Sequence, residues 1–317
     1  MIVPGFTHTV GVHCGSTAMV DLLRHRGVEI TEPMAFGLGA GLSFFYLRGF
    51  QPSRTIYGRS GKLEEEAAER LGFRLALMQS HDPVEGWAQV KEKLDAGVPV
   101  LLQLDLFHLG YYNARTHFNG HRAVIAGYEG NDALMADTHF EGLVRVPLDK
   151  LDEARASTFP PFVEGNRPAW TLEREGDPPR AHGAIVQSLR GFAHRYLTED
   201  NGFSGLRALR DFTAEVGDFG ALEDAASVGR FCDQVIEKRG TGGALFRTLY
   251  ARFLREANST APELGLLPLA DRFDTVAARW REIAALLGAR RFADAAPIAA
   301  GIATDEQSIC QALEHIA

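Results

Sequence analysis

Three side chains that cooperate in nucleophilic catalysis occur along the chain in the order Cys14, His121, Asp137. Cys14 stands in "GVHCGSTAMVDLL", at the expected first turn of an amphipathic helix, and Gly15 and Ser16 keep that turn open. A thiolate there faces unpaired amides and the positive end of the helix dipole, which lower its pKa and make it a better nucleophile. Covalent catalysis also needs a base. His121 enters a β-like run in "FNGHRAVIAGYEGNDALMADTHF", and a hairpin returns the chain to Asp137. With Asn131 and Asp132 as the turn centre, the partner of residue 126 falls near 137. His121 and Asp137 then sit diagonally on neighbouring strands, or closer if a bulge at Gly127 or Gly130 shifts the register. An acid so placed orients the imidazole and holds its tautomer. Each residue also has a plainer reading: inert packing for the cysteine, a strand-end histidine bonded to a carbonyl, a turn aspartate. Cys232 and Cys310, on apolar helix faces, fit inert packing.

The elements that must position these groups follow from hydrophobic periodicity. Helical spacing covers 14–26, roughly 33–47, 62–72 and 83–97, with Gly72 and Gly97 as stops. Short β-like segments run from Val98 to Val146, which makes the first half α+β, helices before an antiparallel sheet. Residues 1–155 are expected to form the catalytic domain. Residues 156–181 concentrate Pro, Gly and charge as a linker does, and 182–317 read as an all-α bundle. The 317 residues, 45% hydrophobic, suit two domains with full cores.

Net charge is −8 with both signs interspersed, so the basic stripe of a nucleic-acid binder is missing. No apolar run reaches the ~18 residues of a membrane span, and the first residues lack a signal-peptide pattern. Three scattered cysteines argue against a disulfide framework and suit a reducing, cytoplasmic compartment. Eight of the eleven histidines lie in the first 139 residues, which points to that half as the site of reaction. A competing class is a metal site drawn from His8, His13, Cys14, His117, His121, Asp137 and His139, although no HExxH or HxH motif supports it. A third is a binding module that retains the cleft without thiol reactivity.

"HCGSTAMVDLLRHRGVEITEPMAFGLGAGLSFFY" resembles the N-terminal domain of butirosin biosynthesis protein H, an acyltransferase family, and "GHRAVIAGYEGNDALMADTHF" resembles the His-to-Asp hairpin of papain-like and bacteriocin-leader peptidases. The helical remainder is similar to the domain of unassigned function that commonly follows in such proteins. The resemblance implies a papain-like fold and acyl transfer through a thioester, with Cys14 as nucleophile, His121 as general base and acid, and Asp137 as orienting acid. It implies a thioester donor, as on an acyl carrier protein, and a small-molecule amine acceptor, with no cofactor and no metal; a homodimer is compatible with it. Amidase or peptidase chemistry through the same acyl-enzyme is the alternative. Papain-like enzymes often add a glutamine donor to the oxyanion hole a few residues before the cysteine. None stands there, which leaves His8, His13 and the more distant Gln103. Glu32 either caps the next helix or binds a substrate amine. Arg59 is a candidate for a carboxylate or phosphopantetheine phosphate, and Tyr111, Tyr112 and Asn113 for a substrate-contacting loop.

Overall fold

The computed structural model describes residues 1–177 and 180–316. In chain order the elements are α1 (Cys14–His25), α2 (Glu32–Leu38), β1 (Leu42–Arg48), β2 (Arg54–Arg59), α3 (Leu63–Glu69), β3 (Phe73–Met78), α4 (Pro83–Asp95), β4 (Val100–Leu104), β5 (His121–Glu129), β6 (Asp132–Ala136), β7 (Leu143–Pro147), α5 (Leu148–Arg155) and β8 (Ala169–Arg174). Six helices follow: α6 (Ala181–Thr198), α7 (Gly205–Glu215), α8 (Ala225–Glu237), α9 (Arg247–Thr260), α10 (Leu267–Gly288) and α11 (Phe292–Glu314). The architecture is α+β, with an antiparallel sheet and a helical C-terminal region, as expected from the sequence.

The chain divides into two compact units, and the division departs from the expected boundaries. One unit combines Met1–Glu32 with Gly72–Asp177; the other combines Pro33–Leu71 with the C-terminal helices. The stretch 33–47 is not one helix. Gly39 and Gly41 approach Leu63 so closely that a Cβ would clash, and Ala40 between them takes φ 43°, so the helix ends and β1 begins. That apolar run lacks a period because it is buried on all sides, which is why helix and strand cannot be told apart in it. The expected linker is irregular over 156–168 but contains a strand. Residues 169–174 form β8, inserted between β3 and β4, while Pro178 and Pro179 lie outside the described residues.

In the first unit the sheet order is β3-β8-β4-β5-β6-β7, every pair antiparallel. Leu102, Leu104, Ala123 and Ile125 pack with Val90 and Leu94 of α4 and Leu151 of α5 in one apolar core. α1 packs against β5. The β5–β6 hairpin turns at Gly130 and Asn131, one residue earlier than expected, since Glu129 pairs with Asp132. A bulge between Ile125 and Gly127 then shifts the register, so Val124 faces Ala136. Asp137, next after Ala136, thereby falls on the same side of the sheet as Ala123 and His121.

The second unit buries Phe44 against Phe212 and Trp280, with ring centroids 5.7 and 5.6 Å apart, and stacks Phe36 on Phe246 at 5.2 Å. Beside them Arg247 and Glu306, both buried, form a two-pronged ion pair at 2.8 and 2.9 Å. Trp280 and Tyr196 donate to the same carboxylate. Among the described residues, no helix is long and apolar enough to cross a membrane.

Candidate active site

Cys14 opens α1. His13, the residue before it, has extended backbone angles and accepts the Ser16 amide on Nδ1 at 3.2 Å, capping the helix. The turn leading into the helix is clamped by Glu32. Its carboxylate accepts from the amides of Val12 (2.9 Å) and His13 (2.9 Å) and from the hydroxyls of Ser16 (2.9 Å) and Thr17 (3.2 Å). Gly11 makes this possible: a Cβ there would fall 2.0 Å from Thr17 Oγ1 and 2.9 Å from Glu32 Oε2. The Glu32 carboxylate is therefore engaged in holding the nucleophile's turn, a third role beside the two expected for it, capping the next helix or binding a substrate amine.

His121 begins β5, and its Nε2 lies 2.8 and 3.0 Å from the two Asp137 oxygens. With Nε2 so engaged, Nδ1 is the nitrogen left for the Cys14 sulfur, with which His121 interacts electrostatically. Asp137 is 1% exposed, and Tyr111 and Tyr112 donate their hydroxyls to it at 2.6 and 2.8 Å. These tyrosines, expected to contact substrate, instead hold the carboxylate that orients His121. Tyr112 also packs edge-on against the His121 ring, 5.3 Å between centroids. Asn113 follows them, exposed and left-handed at φ 50°, closing the short helical turn that places the pair.

The electrostatics follow from these contacts. Burial alone would push the Cys14 thiol up, but His13 and His121 outweigh it and hold it well below the usual thiol range. Burial opposes charge on His121 as well, yet Asp137 and Cys14 raise its pKa to about 10. Burial likewise opposes ionisation of Asp137, and His121 and the two tyrosines keep it below the ordinary carboxylate range. Burial and the Asp137 charge push both phenols upward, so both remain donors. The two shifts run in opposite directions and favour a thiolate beside an imidazolium, braced by a carboxylate.

Asp105 is a positioning residue that the sequence did not single out. Buried at the end of β4, it accepts from the Phe107 and Phe118 amides (3.1 and 2.9 Å), Ser157 Oγ (2.7 Å) and His117 Nδ1 (2.7 Å). It thus pins both ends of the excursion carrying Tyr111 and Tyr112. The sequence signal was a single carboxylate closing a strand whose other residues, Gln103 apart, are apolar, "VLLQLD".

Other expected roles are displaced by partners. His8 bonds Asp21 through Nδ1 (2.6 Å) and the Phe140 carbonyl through Nε2 (3.1 Å), so neither nitrogen is open to an oxyanion. Gln103 pairs in register with Arg122 and accepts from its guanidinium at 2.7 Å, on the sheet face opposite His121. His13 serves as helix cap and thiolate neighbour. Arg59, in the second unit, clasps Glu64 with two bonds of 2.9 and 2.8 Å. The seven-residue metal set is not gathered into one site; among the described residues His117 groups instead with Asp105 and His108.

A cysteine at a helix N-terminus, with an imidazole and carboxylate paired on an antiparallel hairpin, is the arrangement of the papain-like class. The chain belongs to the family described as "Domain of unknown function (DUF4872)", whose model matches residues 149–313, more than half of the chain; ahead of it, residues 13–138 match "Butirosin biosynthesis protein H, N-terminal". Among solved structures, the chain is similar to the peptidase domain of Streptococcus ComA, a bifunctional ABC transporter involved in a quorum-sensing pathway. That match has 15% identity and a TM-score of 0.34 and covers 53% of this chain and 96% of that one. It is also similar to a putative C39-like peptidase from Bacillus anthracis, at 16% identity and a TM-score of 0.39, covering 55% and 98%. No curated protein matches significantly.

Proposed function

We propose that the protein is a cysteine-dependent acyltransferase that takes an acyl group from a thioester donor and passes it to an amine. The observation that carries this reading is Cys14 at the N-terminus of α1 together with His121, whose imidazole is held by an Asp137 that two tyrosines brace. Cys14 Sγ attacks the donor carbonyl, and the carbon–sulfur bond to the donor breaks as the His121 proton passes to the departing thiolate. The acyl-cysteine that remains is attacked by the amine, which gives a proton to His121 as the amide forms and the Cys14 thiolate leaves. The amide of Cys14, among the first amides of α1 that lack an intrahelical partner, is the main-chain donor for the oxyanion in both steps. The family match to a biosynthesis protein supports synthesis of an amide over its hydrolysis.

The test is intact mass spectrometry of wild type and Cys14→Ser after exposure to acyl thioesters, including one on an acyl carrier protein, followed by a panel of amines. Acyl mass on wild type alone, discharged faster by an amine than by water, is the expected result. Discharge to free acid at a rate no amine increases would make the enzyme a hydrolase. Labelling of Cys14→Ser, or none from thioesters, esters or amides, would remove the acyl-cysteine reading.

A further inference from the structure

We propose that His108 and His117 hold a divalent transition-metal ion of the zinc class, at a site separate from Cys14, with Asp105 and Glu153 as the carboxylates that orient the two rings. One ligand atom from each of Asp105, His108 and His117 lies within 4.8 Å of the other two, the only such group among the described residues. What makes this more than proximity is the way each ring is held. Asp105 is fully buried, and Oδ2 meets His117 Nδ1 at 2.7 Å. A carboxylate only accepts, so the proton of His117 is on Nδ1 and its lone pair is on Nε2. Glu153 Oε2 stands 3.2 Å from His108 Nδ1 and imposes the same tautomer. Both imidazoles therefore present Nε2 as the ligand atom, in the carboxylate–histidine–metal arrangement common to zinc sites.

The surroundings suit the role. The His117 ring is stacked between Phe107 and Phe159, centroids 4.1 and 4.6 Å away, which fixes its plane without using its outer nitrogen. The two imidazoles stand 5.8 Å apart, tilted by 60°. Zinc–nitrogen bonds of about 2.1 Å set two tetrahedral ligand atoms about 3.4 Å apart, within the 4.8 Å span of the cluster, and both rings are partly exposed. Asp105 already satisfies two amides, a hydroxyl and an imidazole, so it orients and does not ligate; water completes the coordination. Imidazole donors favour zinc, nickel or copper over magnesium or calcium. A bound ion would tie the short turn Leu106–His108 to His117, bracing the excursion that carries Tyr111 and Tyr112.

The test is calorimetric titration of the full chain with Zn²⁺ and, by visible absorption, with Co²⁺. Both are done in the Cys14→Ser background so that the thiolate cannot bind metal. The expected result is one ion per chain at this site and a cobalt spectrum without thiolate bands. His117→Phe keeps the ring stack but removes the nitrogens. It and His108→Ala should each lower the stoichiometry by one ion or weaken binding at least about tenfold, with circular dichroism unchanged. Glu153→Gln should weaken binding less. No saturable uptake, or binding unchanged in folded His108→Ala or His117→Phe, would overturn the proposal.

Discussion

At Asp137 an imidazole and two phenols converge on one carboxylate that solvent does not reach. Tyr111→Phe or Tyr112→Phe removes one donor from a buried charge, which should cost about 1.5–3 kcal/mol in chemical denaturation. It should also lower the acylation rate more than it raises KM, because His121 is then held less firmly. Asp137→Asn presents an amide to Nε2 and should cost roughly 10³- to 10⁴-fold in kcat, the scale seen when a triad's orienting acid is amidated. The thiol supplies the pH signature. A depressed pKa means that the thiolate is present above the folded value and is lost only as pH falls through it. Iodoacetamide should therefore label wild-type Cys14 at a rate nearly constant across neutral pH and falling on the acid side. His13→Ala and His121→Ala should each move that fall toward the ordinary thiol range; an unmoved profile in both would show that neither imidazole sets the charge.

At the scale of elements, the N-terminus of α1 is a built object and not merely a helix start. Glu32→Ala leaves the Val12 and His13 amides and two hydroxyls without their acceptor, and should cost at least about 2 kcal/mol and slow Cys14 alkylation. Glu32→Gln, which keeps an acceptor oxygen, should recover part of both. Much of this level was legible in the sequence: α1 from its period, the β5–β6 hairpin from its Gly-Asn-Asp turn, and the bulge as a means of bringing Asp137 to His121. The turn sits one residue earlier than expected, and the bulge at Ala126 carries the register further in the same direction, to Val124 opposite Ala136. What stayed hidden depends on pairing between distant segments. Strand β8 lies within a Pro- and Gly-rich stretch and pairs with β3 and β4 far away in the chain. Glu32 and Asp105 act by accepting hydrogen bonds, a role that leaves no periodicity, and Tyr111 and Tyr112 could not be told from ligand-binding residues before Asp137 was seen between them.

For the whole molecule, the excursion of residues 33–71 into the helical unit governs how the protein can be cut. Phe44 packs on Phe212 and Trp280, and Phe36 on Phe246. A truncation ending at residue 177, which the sequence boundaries suggested would free a catalytic domain, should therefore yield aggregated protein. Soluble, alkylatable protein from that truncation would contradict this, whereas the full chain serves as control. Glu306→Gln leaves the buried Arg247 charge unmatched and should cost about 3–5 kcal/mol in the unfolding of the helical unit.

The same excursion bears on how the chain is made. During synthesis the nucleophile's helix leaves the ribosome first, then a segment whose aromatic partners lie at Phe212, Phe246 and Trp280. The sheet that carries His121 and Asp137 can close once β8 is out, by residue 174. Cys14 can thus be armed while Phe36 and Phe44 still wait for their partners. A translational pause between residues 177 and 280 would prolong that exposure and raise the demand on chaperones, a vulnerability that a chain with its two units in tandem would not have.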